Sequence, residues 1–128
     1  MRLLIVRHAE AAPGRPDELR HLTAAGRDAA EELGRRLRDE GIRADAVLTS
    51  PLLRARETAG ALGLGEPEID ERLAPGATPE GMREAATGHG ETVVVVGHQP
   101  DCSRAAAALT GGPEPPFPPA ACVVVDVG

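Results

Sequence analysis

Short apolar runs rich in β-branched residues alternate along this chain with stretches of helical periodicity, the alternation that builds a parallel sheet with crossover helices. Arg2–Val6 reads as the first strand, and a loop containing Pro and Gly follows over residues 11–16. Thr23 stands where a helix cap belongs. The periodicity predicts a helix over 23–40 with an apolar stripe through Ala29, Leu33 and Leu37, ended by Gly41. Ala46–Thr49 is the second strand. Ser50 and Pro51 then have the chemistry of an N-cap and a first helical residue, which predicts a helix over 51–62. A short strand around Glu68 and Ile69 and a helix over 78–87 come next. Thr92–Val96 contains four consecutive valines, the pattern of a strand buried on both faces. A helix over 100–109, a Pro-rich loop over 112–119 and an edge strand over 122–127 complete the chain. The expectation is one α/β domain over residues 1–128, a three-layer α/β/α sandwich around a mostly parallel central sheet.

Composition narrows the function classes. Apolar residues make up 41% of the 128, enough for a core, but Phe117 is the only aromatic, so that core must be built from Leu, Val, Ile and Ala. There is no Lys, so Arg carries every permanent side-chain cation, and the net charge is −6. An acidic chain without a basic stripe or an aromatic platform is a poor nucleic-acid binder. No stretch approaches membrane-spanning length, and the run Leu3–Val6 is too short for the core of a signal peptide. Cys102 and Cys122 form no metal motif and read as small, reduced core residues. These features give the expectation of a cytoplasmic monomer with no membrane partner and no cofactor.

Against that acidic background, the strand ends stand out. In open α/β sheets ligands bind beyond the carboxyl ends of the strands. The first strand runs into Arg7-His8, the second into Ser50-Pro51 with Arg54 one turn on, and the valine strand into His98. Parallel strands would bring these groups to one rim. Arg in the first turn of a helix opposes the helix dipole, so Arg54 needs a local use for its charge. Helix-terminal amides and a guanidinium together make a cradle for phosphate. Arg56 points to another face and reads as solvated. His21 and His89 lie in polar segments and read as exposed.

Several of these segments resemble the histidine phosphatase superfamily, also called phosphoglycerate mutase-like. Leu3-Leu4-Ile5-Val6-Arg7-His8 resembles its signature, with Ala9 where Gly is usual. Ser50-Pro51-Leu52-Leu53-Arg54-Ala55-Arg56-Glu57-Thr58 is similar to its second block, Val95-Val96-Gly97-His98 to its third, and residues 19–26 to the segment opening its first helix. The short length and the turn Gly97-His98-Gln99-Pro100-Asp101 look most like the compact SixA-type phosphohistidine phosphatases. The resemblance implies a metal-independent phosphatase in which His8 is the nucleophile and becomes phosphorylated. Arg7, Arg54 and His98 would bind the phosphoryl oxygens, with Ser50 and Arg20 as further substrate-binding candidates. It also implies a general acid where an alcohol must leave. Glu71 falls in the expected region, and Glu10 and Glu18 are fallbacks.

Imidazole, with a conjugate-acid pKa of roughly 6.5, leaves as a neutral ring once protonated and needs little help. The short segment between Thr58 and Glu91 also leaves little chain for a lid. Both features favour a phosphohistidine on a phosphorylated protein domain as substrate. A small phosphorylated metabolite, a non-catalytic phosphate-binding module, and a zinc site built from His8, His98 and Cys102 are the alternatives.

Overall fold

The computed structural model describes residues 1–128. Five strands, β1 (Arg2–Arg7), β2 (Ala46–Thr49), β3 (Pro67–Ile69), β4 (Thr92–Gly97) and β5 (Cys122–Asp126), form one sheet in the order β3-β2-β4-β1-β5. The first four are parallel, and β5 closes an edge antiparallel to β1. Crossovers are made by α1 (Ala24–Asp39), α2 (Leu53–Leu62), α3 (Pro79–Ala86) and α4 (Asp101–Thr110), with 3₁₀ turns at Asp17–Leu19 and Glu71–Leu73.

Side chains alternate across each strand, and the two faces of the sheet therefore carry different cores. Leu3, Ile5, Val93 and Val95 point to the face covered by α3 and α4, where they meet Met82, Ala85, Cys102, Ala105 and Phe117. Leu4, Val6, Val94 and Val96 point to the opposite face and meet Leu33 and Leu37 of α1 and Ala55, Ala59 and Leu62 of α2. These are the three layers expected, and β4 is buried along its whole length. The lone aromatic, Phe117, is spent in the first core; aliphatic side chains make the rest.

Two sequence expectations are corrected. The buried stripe of α1 runs through Gly26, Ala30, Leu33, Gly34 and Leu37, and Ala29 is exposed. The stripe's phase is set by the glycines. A Cβ on Gly34 would collide with the Leu62 carbonyl of α2, and one on Gly26 with the Glu10 carbonyl, so this is the side on which α1 can approach its neighbours. The second correction concerns the start of α2, at Leu53 with Leu52 in the cap position. Ser50 is not its cap. Its Oγ accepts from the Leu52 amide at 3.2 Å in a local turn, which places the hydroxyl beside His98.

Candidate active site

The sheet register carries on for one residue beyond the strands. The His8 amide donates to the Gly97 carbonyl and the Ser50 amide to the Val96 carbonyl, both at 3.0 Å. Ser50, His98 and His8 thus stand in a row at the carboxyl rim of β2, β4 and β1, neighbours in the sheet. The His8 and His98 ring centroids are 5.2 Å apart, and His98 Nε2 lies 2.8 Å from Ser50 Oγ.

Hydrogen bonding fixes what each imidazole can do. His8 Nδ1 lies 2.8 Å from the Ala9 carbonyl, which can only accept, so the ring proton sits on Nδ1 and the Nε2 lone pair is free. Burial holds the His8 pKa below the usual imidazole value. The Ala9 carbonyl opposes this, and the guanidinium groups of Arg54, Arg7 and Arg20 reinforce it. His98 is pushed down to about 4, chiefly by burial and then by His8 and Arg54. It is neutral at pH 7 with one ring proton. Ser50 Oγ accepts from the Leu52 amide and also pairs with His98 Nε2, so the hydroxyl holds the His98 ring in place at the rim.

Arg54 is buried in the first turn of α2. Its Nη1 donates to the Asp17 carbonyl at 3.0 Å and its Nη2 to Asp17 Oδ2 at 3.2 Å. Arg20 donates from Nε to the Ala12 carbonyl at 2.9 Å and from Nη1 to Asp17 Oδ1 at 3.1 Å. Arg7 gives Nη1 to the Phe117 carbonyl at 2.9 Å, while its buried Nε has no protein partner. A cluster of cations around two neutral imidazoles, one with a free lone pair, is suited to receiving a tetrahedral oxyanion beside a nucleophile.

Other expected residues fall outside this row. Glu71 is exposed at the start of its 3₁₀ turn and makes no hydrogen bond or ion pair with the cluster. It lines a shallow depression with Arg72, Pro75, Gly76 and Thr78. Glu10 is engaged at the start of α1, accepting from Thr23 Oγ1 at 2.7 Å, and Glu18 is exposed. Arg56 is exposed, as is His21, whose Nδ1 lies 3.1 Å from Glu57 Oε2. His89, expected to be exposed, is half-buried and faces Glu68. Cys102 is buried with its thiol pushed up to about 12 by burial, and no three His, Cys, Asp or Glu side chains converge as a metal-ligand set.

Two residues that the sequence did not single out complete the architecture. Thr58 Oγ1 accepts from the Ala9 amide at 2.9 Å and donates to the Arg54 carbonyl at 2.7 Å, riveting the loop of His8 to the helix of Arg54. Ala9, at the position where the resemblance implies Gly, is fully buried and does not adopt a positive φ, so its methyl group costs the backbone nothing. Asp17 is the second. Its only sequence signal was an acid three residues before Arg20.

Known proteins match this chain in sequence and in fold. The profile of the histidine phosphatase superfamily (branch 1) covers residues 3–76, which include Arg7, His8 and Arg54. An uncharacterised protein of Picosynechococcus sp. is 35% identical over 123 residues, 88% of this chain and 74% of its own length. The mitochondrial serine/threonine-protein phosphatase Pgam5 of Drosophila willistoni is 40% identical over 70 residues, and the matched region is 24% of that protein. Among solved structures, protein histidine phosphatase SixA complexed with tungstate superposes with a TM-score of 0.88 at 26% identity, covering 98% of this chain and 88% of that one. SixA from Agrobacterium tumefaciens gives 0.83 at 27% identity, covering 98% and 90%. His98 lies beyond the region matched by the profile and joins the site through the fold, one strand from His8. With more than half of its length matched by that profile and a sheet that superposes on SixA, this chain belongs to the histidine phosphatase superfamily.

Proposed function

We propose that this protein is a metal-independent phosphohistidine phosphatase acting on a phosphorylated protein domain through a phosphoryl group carried on His8. The observation that carries the proposal is the His8 tautomer. The Ala9 carbonyl accepts a hydrogen bond from Nδ1–H, which leaves the Nε2 lone pair free near Arg7, Arg54 and His98. The tungstate bound by SixA is a tetrahedral oxyanion like phosphate, and the same fold supports that use of this rim.

His8 Nε2 attacks phosphorus, and the bond to the leaving atom breaks with its electron pair staying on that atom. Arg54, Arg7 and His98 are the donors for the non-bridging oxygens, and their alignment before reaction is what lowers the barrier. The Ala9 carbonyl stabilises the positive charge that develops on His8 as its Nε2 bonds to phosphorus. Water then attacks the phosphoryl group in line, and His8 departs neutral, still holding its Nδ1 proton.

No carboxylic acid contacts the row of histidines, which suits a leaving group such as imidazole that departs without a proton donor in the enzyme. The purified protein is to be assayed with chelator present against a phosphohistidine-bearing protein and a panel of sugar and nucleotide phosphates. Preferential release from phosphohistidine is expected. Faster turnover of a small ester would reassign the activity and make Glu71 the next residue to mutate.

A further inference from the structure

The mouth of the site carries a carboxylate that the chemistry above leaves unused. Asp17 opens the 3₁₀ turn at Asp17–Leu19, bridging Arg20 through Oδ1 and Arg54 through Oδ2 and its own backbone carbonyl. The ion pair with Arg54 is lopsided: the arginine side chain is 9% exposed and the aspartate 61%. The guanidinium is enclosed, while the carboxylate, held by its two arginines, still turns an exposed side toward water and any ligand at the mouth. Arg20 first, and Arg54 after it, hold the Asp17 pKa below the usual carboxylate value, so the group is charged at neutral pH. Its charge is also felt at His98.

We propose that Asp17 is a specificity-determining residue that favours phosphoryl groups carried on a protonated imidazole and disfavours phosphate esters whose leaving group bears further negative charge. This rests on the phosphohistidine reading above. A phosphoryl group that binds Arg54 comes to lie beside the Asp17 carboxylate, because both use the same guanidinium. An imidazole phosphorylated on one nitrogen and protonated on the other presents a charged N–H donor, which makes a charge-assisted hydrogen bond to a carboxylate. In the transfer, the His8 Nε2 lone pair forms the new P–N bond. The old P–N bond breaks with its pair left on the substrate nitrogen, and the substrate ring keeps its proton and leaves neutral. Asp17 therefore holds a proton in place without exchanging it. A second phosphate or a carboxylate on the leaving group offers no donor and meets like charge instead.

Asp17→Asn keeps the shape, and keeps an oxygen for the arginines, while removing the charge. Wild type and variant are to be compared on a phosphohistidine-bearing peptide, p-nitrophenyl phosphate and a sugar bisphosphate. The variant should lose about tenfold in kcat/KM on the peptide, the value of a charge-assisted hydrogen bond. Its preference for the bisphosphate over p-nitrophenyl phosphate should rise about fivefold, as expected for one like charge removed at contact distance in water. Equal change on all three substrates would reduce Asp17 to a structural brace and overturn the proposal, as would a gain on the peptide. Should the wild-type enzyme ignore the peptide, the phosphohistidine reading fails, yet the bisphosphate ratio still decides whether Asp17 selects by charge. Calorimetry with inorganic phosphate and pyrophosphate reads that same selection without turnover. The variant should shift toward pyrophosphate, and an unchanged ratio would contradict the charge effect.

Discussion

At the amino-terminal rim of the sheet, the Asp45 carboxylate accepts from the Glu91 and Thr92 amides at 2.9 and 3.0 Å, while the Asp45 amide donates to the Thr92 carbonyl. The first and last strands close on each other there through the Met1 amine and the Val127 carbonyl, 2.9 Å apart. At the carboxyl rim, Arg7 Nε is buried without a partner, two imidazoles face each other, and an exposed aspartate provides the visible counter-charge to a buried arginine. Both rims hold an aspartate, yet one spends it on backbone and the other on cations. A rim whose carboxylate is bonded to neighbouring backbone amides only has to be stable. One that leaves donors unfilled is poised for an anion, and the superfamily's chemistry supplies one.

Single substitutions should separate the two ends. Arg54→Ala, at the carboxyl rim, is expected to lower kcat/KM by about a hundredfold or more, in line with removal of one transition-state donor, with little change in the unfolding midpoint. Asp45→Ala, at the opposite rim, is expected to do the reverse. It removes two hydrogen bonds to strand amides, costs about 1–2 kcal/mol by chemical denaturation, and leaves kcat unchanged. A fall in kcat for Asp45→Ala would erase the distinction between the rims.

The pH dependence sharpens the comparison further. In the proposed mechanism His8 attacks only when unprotonated, and its pKa lies below the ordinary 6.5, so the acid limb of kcat/KM should fall below that pH. A limb at or above 6.5 would mean that burial and the neighbouring arginines do not act on the nucleophile. His98 gives a smaller effect, on stability. Its pKa is about 4 in the folded protein and about 6.5 when unfolded, so the unfolded chain takes up this proton first as the pH falls. The stability that goes with a neutral His98 is full above pH 6.5 and drains away down to about pH 4. In His98→Asn that part of the slope should disappear.

Much of this was legible in the sequence because it depended on local signals. β-Branched runs gave the main strands, Thr23 gave the start of α1 through its side-chain cap, and the parallel order put Arg7, His8, Ser50 and His98 at one rim. Local chemistry misled where a second partner competed for the residue. Ser50 has the composition of a cap but turns to His98, 48 residues away. Asp17, and the contact made by Thr58 at the end of the second resembling segment, went unseen for the same reason. Their partners Arg54 and Ala9 lie 37 and 49 residues off, and nothing in periodicity reports such pairs. Ala29 was misplaced because alanine is a weak marker of a buried stripe, whereas the glycines Gly26 and Gly34 mark the true contact line.

The central claim is that His8 carries the phosphoryl group. It is tested most directly by quenching the enzyme during turnover, with chelator present, and mapping the phosphorylated residue by mass spectrometry. A single acid-labile phosphoryl group on His8, absent from a folded and inactive His8→Ala, is the predicted result. Turnover that persists in His8→Ala, or a phosphoryl group found on another residue, would contradict it.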